Sequence, residues 1–354
     1  TNGYLLNNTL GFEGANNNGS LYVSLSYLTN DGMVVGNSDI NQRLTGQINA
    51  DYMIQKWLKI GTTNSIERGM MKTVSANNFT TTGSVIGGAY YYDPTVPTFY
   101  ENDDDAPADM IAAELDGFLI RNSEGKIYGS SAILQSNLWN PLGMIDNYKN
   151  RSWRTNINGT LYADLMPVKG LTITSRLGYR LGTTYLSNYT TSLYWNTNQK
   201  VLHGQLSSSM YHDIYYQWEN FANYLLDVGK HSFSAMAGMQ YASNRIESIG
   251  ASTDLLTSDA PNFRYLNYSS SDAVDNISGN AGLAANISYF GRFGWTYAEK
   301  YILQGSFRAD AFDASKLSRN NRWGYFPSVS AGWVVTNESF MKNLDQKLLS
   351  FLKL

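Results

Sequence analysis

The chain has 354 residues, with 26 Lys and Arg against 29 Asp and Glu, a formal net charge of −3 and no cysteine. The balanced charge excludes a large electrostatic commitment to nucleic acid, and the missing cysteines exclude disulfides, thiol catalysis and cysteine-type zinc sites. Charged residues make up only 16%, against about 25% in ordinary globular domains, while Tyr (26), Phe (14) and Trp (8) are abundant. No run of eighteen apolar residues exists to cross a membrane as a helix.

Strand candidates follow one another from the first residues. They fall at 4–14, 20–28, 41–53, 57–68, 152–166, 170–186, 210–227, 231–247, 281–297, 301–312, 323–336 and 348–354. Leu44, Gly46, Ile48, Ala50 and Tyr52 alternate with Thr45, Gln47, Asn49 and Asp51, and Ile157 to Leu165 and Leu171 to Tyr179 repeat the pattern. Period two marks a strand with one apolar and one polar face. The connections alternate without a break. Ala15 to Gly19, Met53 to Trp57, Pro167 to Gly170, Val228 to Lys230 and Ala298 to Lys300 are tight. The others, 29–40, 69–151, 187–209, 248–280 and 313–322, are long. After Thr336 the short side is irregular, and Asn337 to Met341 predicts one helical turn. Strands of about ten residues joined by alternately short and long connections predict an all-β fold, a transmembrane antiparallel β-barrel with short periplasmic turns and long extracellular loops. Thr1 to Leu6 and Leu348 to Leu354 both sit in mid-pattern, so the chain is expected to be part of a longer mature protein.

In such a barrel a charge facing hydrocarbon near the midplane costs about 2–4 kcal/mol. Arg176, Arg180, Arg308 and Asp310 are therefore expected to line the lumen, pairing with Asp164, Asp310 or residues of a plug inside it. The loop 69–151 holds Tyr90, Tyr91, Tyr92 and Tyr100, and Trp139 with Asn140 and Pro141 turns the chain at its end. With Tyr194 and Trp195 these aromatics are candidates for stacking on cargo, because aromatic faces bury the apolar faces of sugar rings. Their alternatives are packing of the loop on itself or on a partner, and an interface girdle. Asp103, Asp104 and Asp105 offer hard oxygens suited to calcium, although the spacing lacks the EF-hand pattern. A solvated acidic loop is the alternative. His203, His212 and His231 are scattered, no zinc spacing or G-x-S-x-G elbow is present, and no phosphate loop occurs. No catalytic residue is assigned and an enzyme is not expected.

The stretch from Ser288, SYFGRFGWTYAEKYILQGSFRADAFDASKL, with NNRWGYFPSVSAGWVVTNESFMK and LLSFLKL, resembles the SusC/RagA family of TonB-dependent outer-membrane transporters of Bacteroidetes. LYVSLSYLTNDGMVVGN, DYMIQKWLKIGTT and NLWNPLGMIDNY resemble further blocks of that family's barrel, so the likeness spans residues 1–354 in order. It implies a barrel of about 22 strands, of which about twelve are here, without the plug, the N-terminal extension or the closing strands. It further implies active import in the bacterial outer membrane, with a SusD-type surface lipoprotein as lid and TonB supplying energy through the missing N-terminal region. The implied cargo is glycan fragments, with oligopeptides as the alternative; a passive structural or adhesion barrel is the rival from another class. Outer-membrane lipid is an expected partner and nucleic acid is not.

Overall fold

The computed structural model describes residues 3–74, 84–131, 133, 139–313, 317–341 and 351–354. In chain order these form β1 (Tyr4–Asn16), β2 (Gly19–Asp31), β3 (Ile40–Gln55), β4 (Leu58–Thr73), α1 (Val85–Tyr91), β5 (Phe99–Tyr100), α2 (Ala108–Leu115), β6 (Ile127–Tyr128) and α3 (Pro141–Asn147). There follow β7 (Tyr148–Leu165), β8 (Leu171–Thr190), β9 (Leu193–Asn196), β10 (Gln199–Val201), β11 (Gln205–Val228), β12 (His231–Thr253), β13 (Asn276–Tyr297), β14 (Tyr301–Asp313) and β15 (Trp323–Trp333). Eleven of these strands make one antiparallel sheet in the order β1-β2-β3-β4-β7-β8-β11-β12-β13-β14-β15. Neighbours in sequence are neighbours in space, as hairpin connections require. No described helix is long and apolar enough to cross a membrane.

The register assigns each side chain to a face. Leu44, Ile48 and Tyr52 of β3 share a face with Ile60 and Ile66 of β4, Leu161 and Ile157 of β7, Leu177 and Leu181 of β8, and Trp218 and Ile214 of β11. Farther round, Phe293, Leu303, Phe307 and Val329 continue that face. Many of these apolar side chains are open to the surroundings, Leu161 by 47% and Val329 by 79%, so no protein core covers this face. Exposed apolar surface on this scale matches hydrocarbon as solvent.

Aromatic side chains bound the band. Trp295, Tyr297, Tyr301 and Trp333 gather at the short-turn end, with Tyr297 and Tyr301 stacked at 6.4 Å. Tyr289, Trp323 and Tyr325 gather at the other, with Tyr289 and Trp323 stacked at 6.1 Å. From Tyr301 to Ala311, the residue paired with Trp323, the strand rises about 33 Å at ~3.3 Å per residue. At a tilt of about 40° that is roughly 25 Å of height, the expected apolar band.

Two expectations change at the strand ends. On the long-loop side β8, β11, β12 and β13 run four to six residues beyond the predicted limits, to Thr190, from Gln205, to Thr253 and from Asn276. Ser207 pairs with Ser252 and Gly250 with Ser278 there. Ser, Thr, Gly and Asn dominate these extensions, with Tyr189, Leu206, Ile249 and Ile277 scattered among them, so the ladder continues where the alternation has stopped. On the short side β15 ends at Trp333 rather than 336, and Val335–Asn337 and Ser339–Met341 make two 3-10 turns. Of the last predicted strand, 351–354 are described: Trp333 and Leu354 exchange backbone hydrogen bonds of 2.9 Å each. Residues 348–350 lie outside the described residues.

The expected loop 69–151 is a folded cap between β4 and β7. Ser84 caps α1 by accepting from the Gly87 amide at 3.0 Å. Asn140 caps α3, its Oδ1 accepting from Leu142 and Gly143, with Pro141 in the first turn. The cap has its own cores: Met110, Ala113, Ile120, Ile127 and Tyr194 in one, Tyr128, Leu193 and Trp195 in another. β9 therefore belongs to the cap as much as to its own connection.

Candidate functional site

The polar face of β3, β4, β7, β8 and β11 carries a groove of about 600 Å³. Arg176 and Arg180 stand on β8, two pleats apart with Gly178 between them, because alternation places them on the face away from Leu177 and Leu181. On β11 the same parity presents Asp213, Tyr215, Gln217, Glu219 and Phe221. These side chains form a ladder along the strand. The Tyr215 hydroxyl donates to Gln217, and Gln217 Nε2 donates to Glu219 Oε1 at 2.7 Å. Arg176 lies 3.8 Å from Glu219 and over the Phe221 ring at 5.7 Å. Arg180 lies 3.0 Å from Asp213 and over the Tyr215 ring at 5.5 Å.

Both arginine side chains are nearly half exposed, at 46% and 47%. Ion pairs in such wet surroundings contribute about 0–1 kcal/mol, and cation–π contacts at exposed sites about 0.5–1 kcal/mol. The ladder thus does little for stability. It holds guanidinium, amide, carboxylate and phenol groups at fixed spacing, with two positive charges balanced by two negative ones. Gln47, Thr63, Ser65 and Asn158 complete the lining with uncharged donors and acceptors. Such a surface hydrogen-bonds polar solutes without concentrating either sign of charge. A second arginine site stands on β14, where Arg308 Nε donates to Asp310 at 2.7 and 2.9 Å, its Nη2 donates to Ser288 Oγ, and the guanidinium overlies Phe290.

In the cap, Tyr90 and Tyr91 at the end of α1 are 72% and 47% exposed and meet edge to face at 5.0 Å. Tyr92 turns inward. Its hydroxyl donates to the Pro97 and Gly129 carbonyls and accepts from Asn140, and burial pushes its pKa up to about 12. The Tyr100 hydroxyl donates to Ser130 O at 3.0 Å. Trp195 is 3% exposed, packed between Tyr128 at 5.4 Å and Trp139 at 5.9 Å. Tyr194 is 6% exposed and donates to Asp109 at 2.8 Å; burial, then that carboxylate, raises it to about 12. Asp103 meets Arg121 with both carboxylate oxygens, at 2.8 and 2.9 Å, which holds it below the usual carboxylate range. Glu114 takes the other edge of the same guanidinium.

No family model matches the chain. It is 25% identical over 354 residues to TonB-dependent receptor P39 of Formosa agariphila, covering 98% of this chain and 29% of that protein. It is 28% identical over 349 residues to the TonB-dependent receptor SusC of Bacteroides thetaiotaomicron, covering 94% and 31%. The chain is homologous to the TonB-dependent receptors. It spans about a third of their length. Among solved structures, the RagAB peptide transporter matches with a TM-score of 0.72 and 20% identity over 96% of this chain and 35% of that one. The fold expectation therefore holds: the sheet is similar to a stretch of TonB-dependent receptor barrel wall.

Within that wall the predicted site residues separate. Arg176, Arg180, Arg308 and Asp310 lie on the polar face as expected and Arg308 pairs with Asp310 as expected, but the partners of Arg176 and Arg180 differ. Asp164 pairs with neither Arg176 nor Arg180; it accepts from Thr174 Oγ1 at 2.7 Å, and Glu219 and Asp213 take the two arginines. Of the aromatic candidates, Tyr90 and Tyr91 stand at the surface. Tyr92, Tyr100, Trp139, Tyr194 and Trp195 instead pack the cap on itself, because a connection of this length needs its own core to hold three helices. Asp103 faces an arginine, Asp105 accepts from Asn102 at 3.0 Å, and no metal-ligating group of three gathers among the described residues. The Tyr215–Gln217–Glu219 ladder was missed, although its spacing of two on a predicted strand is visible in the sequence.

Proposed function

We propose that this chain forms wall and mouth of a TonB-dependent importer of the bacterial outer membrane, and that its cargo is glycan fragments. The observation that carries this reading is the charge-balanced ladder on the polar wall. Hydroxyl-rich neutral solutes need many donors and acceptors at fixed spacing, and ring faces against which to lie. Tyr215 supplies such a face beside Gln217 and Glu219. Import is energised through TonB, which acts on parts of the receptor outside this chain, and the cargo leaves chemically unchanged. A SusD-type lipoprotein closes over the mouth, with Tyr90 and Tyr91 of the cap as its nearest exposed aromatic contacts.

The test is deletion of the full-length gene in its host, with growth compared on single purified glycans and on oligopeptides. Loss of growth on one glycan, restored by the wild-type gene but not by Gln217→Ala/Glu219→Ala, supports both import and the ladder. Loss on oligopeptides alone makes the cargo peptide. Unchanged growth on every source favours a passive wall.

A further inference from the structure

The apolar face carries a basic row where lipid hydrocarbon should end. Lys72 of β4 is paired directly with Arg151 of β7, and Lys149 stands one pleat farther along β7, opposite Tyr189 of β8. All three share the parity of Met70, Trp153 and Tyr185, two of which stack with centroids 5.5 Å apart in the upper aromatic band. Arg264, from the β12–β13 connection, lays its guanidinium over the Tyr189 ring at 4.2 Å and so extends the row. Like charges directly opposite in a ladder are destabilising; Asp146 offsets part of the charge at Lys149, and Arg264 is held by the Asp259 carbonyl. Among the described residues Lys72, Lys149 and Arg151 make no ion pair. The nearest carboxylate, Asp146, accepts from the Tyr128 hydroxyl at 2.5 Å. Two clefts flank Lys149. One of about 200 Å³ is lined by Lys72, Arg151, Ser38 and Asn150; the other, about 260 Å³, is lined by Arg264, Asp146, Ser123 and Thr191.

From this placement we propose that the row Lys72–Arg151–Lys149–Arg264 seats the phosphate groups of a phosphorylated lipid of the outer leaflet. The inference rests on the membrane reading given above. Three features select lipid over a free anion. By strand parity Lys72, Arg151 and Lys149 lie on the side of the sheet that meets hydrocarbon lower down, not on the groove face, with Lys149 and Arg264 seated against the cap. They start two residues above Met70 and Trp153, about 7 Å along the strand, which is headgroup level. The Trp153–Tyr185 pair beneath them gives an acyl chain an apolar contact, before Arg68, Thr155 and Thr183 interrupt the face and Ile66, Ile157 and Leu181 resume it. Clustered cations beside a membrane attract anionic headgroups with about a fivefold gain in binding per Lys or Arg.

The experiment uses the full-length receptor, reconstituted in vesicles of phosphatidylcholine alone or doped with bisphosphorylated lipid A, then extracted in mild detergent. Native mass spectrometry counts lipid A retained per protein. The wild type is expected to retain it, and Lys72→Gln/Lys149→Gln/Arg151→Gln to lose it at least tenfold, about fivefold per cation being the scale set by headgroup attraction. Lys72→Arg/Arg151→Lys keeps the charges and should retain it, which separates loss of charge from loss of fold. Equal retention by the triple variant overturns the proposal. Displacement of lipid A by millimolar inorganic phosphate alone also overturns it, since the site then binds a free anion. A wild type that does not enter vesicles sinks the membrane reading as well, whereas insertion with unaltered retention sinks this inference alone.

Discussion

Glu338 gathers three donors at the short-turn end: Lys300 Nζ and the Tyr301 hydroxyl at 2.7 Å each, and Trp333 Nε1 at 3.2 Å. Lys300 first, then Tyr301, pull its pKa from 4.5 to about 2. A carboxylate whose folded pKa is depressed stabilises the fold above its unfolded value and loses that contribution as pH falls. The window here runs from about 4.5 down to about 2. Protection against hydrogen exchange of the Val334 and Val335 amides, which bond back to Lys300 and Leu352, should fall across that window relative to the intrinsic rate at each pH. Glu338→Gln should exchange faster at neutral pH and lose the acid dependence; an unchanged profile would remove this role for the carboxylate. The sequence marked Asn337 to Met341 as an irregular turn, but not what holds it. Glu338 finds partners on two other strands, and such distant pairings leave no local pattern.

Among the elements, the cap depends on two small features of α3. Asn140 is 2% exposed and works in both directions, capping the helix with Oδ1 while Nδ2 donates to Tyr92 Oη, Thr98 O and Gly129 O. Asn140→Ala should cost about 1–3 kcal/mol, a lost cap plus buried acceptors left unpaired. It should appear as faster proteolysis of the cap in an otherwise intact barrel. Gly143 sits beneath Trp195, where an added Cβ would lie 1.6 Å from the indole. Gly143→Ala should therefore displace Trp195 at about 1–3 kcal/mol, read as a red shift and gain of quenching in its fluorescence. No shift would mean that the indole is not seated there. The cap was the least legible part of the chain. Its helices are seven or eight residues long, too short for a clear 3.6-residue period. Its aromatics were noticed by type, yet type alone does not distinguish a ring that packs from one that waits for cargo. The strands were legible wherever one face meets hydrocarbon and the other meets water, and faded where small and polar residues break the alternation.

At the scale of the whole molecule the decisive property is that one sheet has two solvents. Leu161 and Thr160 are adjacent in β7, yet Leu161 pairs with Thr62 and Leu177 on the apolar face, and Thr160 with Thr63 and Gly178 on the groove face. The same substitution at the two positions should therefore diverge. Arginine at Leu161, deep in the apolar band, must enter hydrocarbon at about 2–4 kcal/mol. Arginine at Thr160 enters a wet groove that already holds Arg176 and Glu219, and should stay within about 1 kcal/mol of wild type. In the full-length receptor, Leu161→Arg should reduce the heat-modifiable, folded fraction in the outer membrane, while Thr160→Arg leaves it near normal and alters cargo binding instead. Equal damage at both positions would contradict the assignment of faces. The contrast follows from register alone: shifting β7 by one residue would exchange the two outcomes. The period-two pattern thus fixes both where the wall meets lipid and which side chains the cargo can meet.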